Sequence, residues 1–280
     1  MLDFSHIISG TDFSDSSKGG VRESLRIVSG DERRRFTLVH VAKEIKDADA
    51  LKRRMAQWLA ELPEYSLLPD PDKQVHLDLE EGKVSVGLAR SAARSGATQI
   101  IVGPLPRNIL EKYLTGAVAE QLFHTTSVPV MATRHPLSGG YRHILVPVDF
   151  SPSSRRAAAM AASFIRDSPD AVAEDAHVEL LHVVSMPGIR ADKDLLESML
   201  LEVEGDLRAF AEAEGIADLV SKVHALTGVV QEVIPREVDG CGADLVCMGA
   251  GAGSGLLGST VDAVLRNVKI ALLVSPIPAP

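Results

Sequence analysis

Two stretches decide the fold: Ser5-His6-Ile7-Ile8-Ser9-Gly10-Thr11-Asp12-Phe13-Ser14 and Arg142-His143-Ile144-Leu145-Val146-Pro147-Val148-Asp149-Phe150-Ser151. Each is a short β-branched run that ends on Asp-Phe-Ser, and the two aspartates lie 137 residues apart. Further matches follow in the same order along the chain. Leu38-Val39-His40-Val41 matches Leu180-Leu181-His182-Val183 at an offset of 142. Glu81-Gly82, Gly96-Ala97 and Gly103 match Thr227-Gly228, Gly242-Ala243 and Gly249 at 146. Val128-Pro129-Val130-Met131 matches Ile270-Ala271-Leu272-Leu273 at 142 again. The offset changes only between elements, as insertions and deletions in loops would make it, so the chain is a duplication.

Within each half, short apolar runs alternate with segments of helical periodicity. The first-half strands are expected at Ile7–Ser9, Phe36–Val41, Gln74–Leu79, Gln99–Val102 and Val128–Ala132, with helices over Lys18–Val28, Asp49–Leu62, Val84–Ser95 and Leu110–Phe123. In the second half Ser151 is a helix cap with Pro152 in the first turn. Leu195, Met199, Val203, Leu207 and Phe210 mark the core face of the second helix there. Five strands alternating with four helices predict an α/β fold, with two repeated domains, each a five-stranded parallel doubly wound sheet carrying helices on both faces. The domains are expected at 1–136 and 141–280, joined through His135–Gly140.

Composition bounds the function. With 280 residues, 45% of them hydrophobic and 24% charged, the chain has material for two packed cores. A net charge of −9 argues against broad binding to nucleic acid or anionic membranes. The start, Met1-Leu2-Asp3-Phe4, has no secretory pattern, and the longest nearly apolar stretch, Ala157–Ile165, is too short to span a membrane. Two cysteines, Cys241 and Cys247, cannot make a disulfide framework; they read as reduced thiols flanking and entering a buried strand, in a cytoplasmic protein.

Ligands of open parallel sheets bind beyond the carboxyl ends of the strands, where strand order reverses. After the fourth strand of the second half, Gly249, Gly251, Gly253, Gly255 and Gly258 put five glycines in ten positions, leading through Ser259 and Thr260 into a helix. Glycines permit close backbone approach, and a helix N-terminus offers N–H groups to an anion, so this loop reads as a phosphate cradle. The Gly-x-Gly-x-x-Gly at 253, 255 and 258 follows the wrong strand for a dinucleotide fingerprint, and no P-loop sequence is present. Asp12 and Asp149 end first strands, where a carboxylate can either accept from a ribose or adenine group or cap the next helix. The histidine pairs His6/His143, His40/His182 and His76/His224 lie on different strands without metal-ligand spacing, so they read as structural, and no metal site is expected. No catalytic triad or general base can be assembled.

Taken together, Ile144–Ser151, Leu180-Leu181-His182-Val183, Gly242–Gly249 and Gly258-Ser259-Thr260-Val261 resemble the universal stress protein family in its tandem, two-domain form. The resemblance covers essentially the whole chain and implies an adenine-nucleotide alpha-hydrolase-like fold. It also implies binding of ATP or another adenine nucleotide, with or without Mg²⁺, and a regulatory role in the stress response. ATP-binding members carry a Gly, two residues, a Gly, nine residues, then Gly-Ser/Thr. Carried over, this implicates Pro147, Asp149, Val183, Met248, Gly249, Gly258, Ser259 and Thr260. The second half departs at Ala252, which stands at the second Gly, with five residues before Gly258. The first half keeps the spacing but has Pro106 and Ala117, which remove an N–H and a hydroxyl. Loss of each such donor weakens phosphate binding by about 1–3 kcal/mol in a desolvated site. The second half is therefore the expected nucleotide site and the first a degenerate one, with hydrolysis slow at most. The last strands, Val128–Ala132 and Ile270–Ser275, are expected to pair, either within one chain or in a homodimer. A nucleotide-independent scaffold for an unidentified protein partner is the competing reading.

Overall fold

The computed structural model describes residues 4–103, 116–133, 137, 139–186, 192–250 and 259–275. The first half contains β1 (His6–Gly10), α1 (Asp15–Ser29), β2 (Arg35–Ala42), α2 (Ala48–Ala60), β3 (Val75–Glu81), α3 (Val84–Ser95), β4 (Gln99–Val102), α4 (Gly116–Thr125) and β5 (Val130–Ala132). The second repeats the order with β6 (Tyr141–Pro147), α5 (Pro152–Asp167), β7 (Val172–Val184), α6 (Lys193–Ala213), β8 (Val220–Thr227), α7 (Val230–Cys241), β9 (Leu245–Gly249), α8 (Ser259–Asn267) and β10 (Ala271–Ser275). α5 starts as the sequence reads, with Ser151 accepting from Ser154 N and Pro152 in the first turn; α1 starts three residues before the expected Lys18, where Ser14 accepts from Ser17 N.

The two sheets are joined. All ten strands form one sheet in the order β3-β2-β1-β4-β5-β10-β9-β6-β7-β8. Neighbours are parallel except at the centre, where β10 runs antiparallel to β5 with Leu272 opposite Ala132, Leu273 opposite Met131 and Val274 opposite Val130. The last strands thus pair within the chain, and each covers the edge that the other would expose. One core lies under α1, α2, α5 and α6 and includes Leu25, Met55, Phe164 and Phe210; the other lies under α3, α4, α7 and α8 and includes Leu88, Leu122, Ile234 and Val264. Both cores run through the junction of the halves. Phe164 packs against Phe4 at 5.7 Å and Tyr141 at 5.5 Å between ring centroids. Arg26 of α1 donates across the halves, to Asp170 O and Leu137 O.

One expectation needs correction. The core face of α6 is shorter than its apolar pattern: Leu207 and Phe210 are buried, Met199 and Val203 are half-buried, and Leu195 is 65% exposed. Of its 21 residues only Leu207, Phe210 and Ala211, all in the C-terminal third, are buried. The cysteines lie as read: Cys241 closes α7 ahead of the strand, and Cys247 is fully buried within β9. Among the described residues no helix is long and apolar enough to cross a membrane.

Candidate functional site

Strand order reverses between β6 and β9, and the turn after β6 opens there. Phe150 adopts a left-handed conformation, φ 61°, which is unusual for an aromatic residue and turns the chain sharply into α5. The turn is held from two sides. His182 of β7 lies with Nδ1 2.7 Å from Val148 O; because a carbonyl only accepts, the ring carries its proton on Nδ1. The Phe150 ring covers that imidazole at 5.1 Å and meets Phe210 edge-on at 6.0 Å. Asp149 is left facing outward, its Oδ1 accepting from Ser151 N at 3.0 Å. Burial opposes its ionisation, but hydrogen bonds from Ser151 and Ser154 outweigh that and hold the carboxyl below the usual carboxylate range. The helix cap itself is Ser151, so the Asp149 carboxylate braces the turn and still faces the space above it.

That space is a cavity of about 160 Å³. Leu181, Val183, Ile234 and Met248 form its apolar wall; Asp149, Ser151, Ser153, Ser154 and Thr260 supply the polar groups. The first turns of α5 and α8 both abut it, which brings two helix N-termini to one place. Gly249 makes the approach possible: a Cβ there would lie 2.2 Å from Ser153 O, so any side chain would push the end of β9 away from α5.

Of the residues expected at a site, Pro147, Asp149, Val183, Met248, Gly249 and Thr260 all line this cavity. Gly251, Gly253, Gly255 and Gly258 lie outside the described residues; Ser259 opens α8, and its side chain also lies outside them. Sequence reasoning missed Ser153, Ser154 and Ile234 as lining residues. The serines carried a signal in the run Ser151-Pro152-Ser153-Ser154, since the first turn of a helix at a switch point faces the ligand side. Ile234 carried none, being one apolar position among several on its helix.

The first half has a cavity of the same kind, about 180 Å³, with Asp12, Ser14, Ser16 and Ser17 as its polar edge and Val39, Val41, Leu88 and Val102 as its wall. Phe13 has φ 66°, and His40 Nδ1 donates to Thr11 O at 2.8 Å beneath the Phe13 ring. The sequence reading sets this half apart by Pro106 and Ala117. Pro106 lies outside the described residues, as does the side chain of Ala117, which sits in α4.

A sequence profile of the universal stress protein family matches residues 3–134 and again 140–276. The chain belongs to the universal stress protein family. It is a tandem member, carrying two such domains. A universal stress protein from Archaeoglobus fulgidus superposes with a TM-score of 0.66 at 22% identity, covering 99% of this chain and 98% of that one. A functionally unknown protein from Pseudomonas aeruginosa superposes at 0.72 and 18% identity, covering 98% and 93%. Both likenesses concern the fold. A comparison with curated proteins gave no match.

The paired histidines of this universal stress protein are not all equivalent. Strand register sets Val39 beside Asp78 and Leu181 beside His224, so the counterpart of His224 is Asp78, and that of His76 is Lys222. Only His6/His143 and His40/His182 are true pairs.

Proposed function

We propose that the second-half cavity, in a unit spanning 141–280, binds an adenine nucleotide, ATP in the first instance, and that occupancy acts as a regulatory signal in the stress response. The observation that supports this reading is the meeting of an apolar slot, the Asp149 carboxylate and the first turns of α5 and α8 at the point where strand order reverses. Bound ATP would supply a phosphate chain for the helix N-termini and an apolar base for the slot between Val183 and Met248. Asp149, ionised at neutral pH, is suited to accept from ribose hydroxyls. Thr260 offers a hydroxyl, and the glycine at 249 admits backbone where a Cβ would block it. The cavity is smaller than the roughly 300 Å³ of a full small-molecule pocket, so it suits the nucleoside, with the phosphates at the helix N-termini and Mg²⁺ on them. Residues 1–136 would then be the degenerate partner unit, and the readout a change in the surface offered to a protein partner.

Isothermal titration of the full chain with ATP and Mg²⁺ tests this. Binding at one site per chain is expected, lost in Asp149→Ala and retained in Asp12→Ala. At ATP one hundred times its Kd the chain should gain about 2.7 kcal/mol of stability. Absence of heat, of a thermal shift and of co-purified nucleotide would move the assignment to the nucleotide-independent scaffold, which the departures at Ala252, Pro106 and Ala117 favour.

A further inference from the structure

On the sheet face covered by α7, next to the cavity lining, β6, β7 and β8 bring polar side chains together. Glu179 of β7 is nearly enclosed, with only 4% of its side chain exposed, and sits two residues before the cavity residue Leu181. On one side, His143 of β6 sets Nε2 2.8 Å from Glu179 Oε2; on the other, His224 of β8 sets Nδ1 2.8 Å from Glu179 Oε1. Both imidazoles and the Lys222 ammonium close on the carboxylate, and His224 Nε2 is buried without a partner. Cys241, at the end of α7, completes the group: one donor atom each from His143, Glu179 and Cys241 lie within 4.8 Å of one another.

We propose that His143 Nε2, Glu179 Oε2 and the Cys241 thiolate bind one Zn²⁺ ion, with His224 fixing the carboxylate through its other oxygen. Zinc takes nitrogen, oxygen and sulfur ligands at about 2.0–2.3 Å in a tetrahedron, which requires donor atoms about 3.3–3.8 Å apart. The present spacing reaches that range by opening the short contact about half an ångström and closing the longest separation by about one. A thiolate in the set selects against Mg²⁺ and Ca²⁺, which prefer oxygen alone. Burial raises the Cys241 thiol above its usual range, and the proton it loses to the metal goes to solvent. A water takes the fourth position. Lys222 also reaches Glu179 Oε1, at 2.9 Å, but its side chain is 56% exposed and free to withdraw. His177, stacked on His143 at 4.9 Å, holds that ring in place.

The duplicated half lacks this donor set. Thr37 stands where Glu179 does, and His6 Nε2 bonds its hydroxyl at 2.8 Å. Ser95 replaces Cys241, and Asp78, at the position of His224, is engaged by Ser91 and Arg94. The proposal is independent of nucleotide binding.

The test is titration of the chelator-treated full chain with Co²⁺, then Zn²⁺, in nucleotide-free buffer. One ion per chain is expected, with a thiolate-to-cobalt charge-transfer band that Zn²⁺ abolishes and a rise in Tm on Zn²⁺ addition. Cys241→Ser, a near-isosteric change whose fold is checked by circular dichroism, should remove the band and weaken Zn²⁺ at least tenfold; Cys247→Ala should do neither. Glu179→Gln should also weaken Zn²⁺ at least tenfold. No stoichiometric binding, or Zn²⁺ binding unchanged in Cys241→Ser, would overturn the assignment.

Discussion

The two halves keep the same turn and differ in what they bury. Each first strand runs into a left-handed Phe, a serine cap, and a second-strand histidine that donates to the carbonyl before the aspartate. Beneath that shared turn, the first half buries Ser9, Glu23, Ser24 and Gln99, and the second places Val146, Met160, Ala161 and Leu245 at the same positions. Ser9 and Ser24 satisfy each other at 2.8 Å, but both carboxyl oxygens of Glu23 and both side-chain polar atoms of Gln99 are buried without partners. A core tolerates such exchange while volume and pattern are kept. A turn that depends on one carbonyl acceptor, one imidazole and one left-handed residue does not.

This contrast can be broken at its strongest point. Gly249→Val sets a side chain against the Ser153 carbonyl and should cost at least about 3 kcal/mol in urea denaturation, together with any ligand binding at the second cavity. Gly103→Val, whose Cβ would meet Gly20 N at 2.5 Å, should do the same in the first half. If only one of them destabilises, the turns are not equally constrained.

A slightly smaller effect is expected from making the first core resemble the second. Burial pushes the Glu23 carboxyl up to about 7, with Arg26 opposing and Glu64 adding to the rise. The folded state therefore holds a proton that the unfolded chain releases above its ordinary value of 4.5, and the stability present at low pH is lost as pH rises through 7. Glu23→Met should remove that dependence and stabilise the protein by up to about 3 kcal/mol at pH 8, with much less gain at pH 5. Urea titrations at the two pH values decide it; equal gains at both would mean that Glu23 is not the titrating group.

The smallest expected effect compares the caps. Ser14→Ala and Ser151→Ala each remove a side-chain acceptor for an N–H of the first helical turn, and each should cost about 1 kcal/mol in thermal unfolding. A smaller loss at Ser151 would sharpen the contrast, because Pro152 already sets that turn, whereas the Ser14 hydroxyl also bonds Asp12.

Much of the fold was legible. The Val84–Ser95 helix and the Gln99–Val102 strand have the bounds read from periodicity, and Ser151 caps as expected. The misreading at Leu195 has a definite cause: an apolar residue at helical spacing signals a face, but says nothing about how far along the helix that face is covered. Of the cavity lining, the strand-end residues were readable, since alternating strands and helices bring the carboxyl ends of parallel strands to one edge of the sheet. Ile234 was not, because only packing shows which turn of α7 reaches the cavity.

What the sequence determined by itself is therefore local and repeated: alternating periods of two and 3.6, the duplication, the caps, and the strand ends where a ligand is expected. The tertiary structure decided the rest. It made one ten-stranded sheet of two by setting β10 antiparallel to β5, because each exposed edge had backbone groups that needed partners. It also brought His143, Glu179 and Cys241 together, and matched His224 with Asp78 against the apparent pairing with His76. Register does this, and register is a property of strands meeting, which no single segment carries.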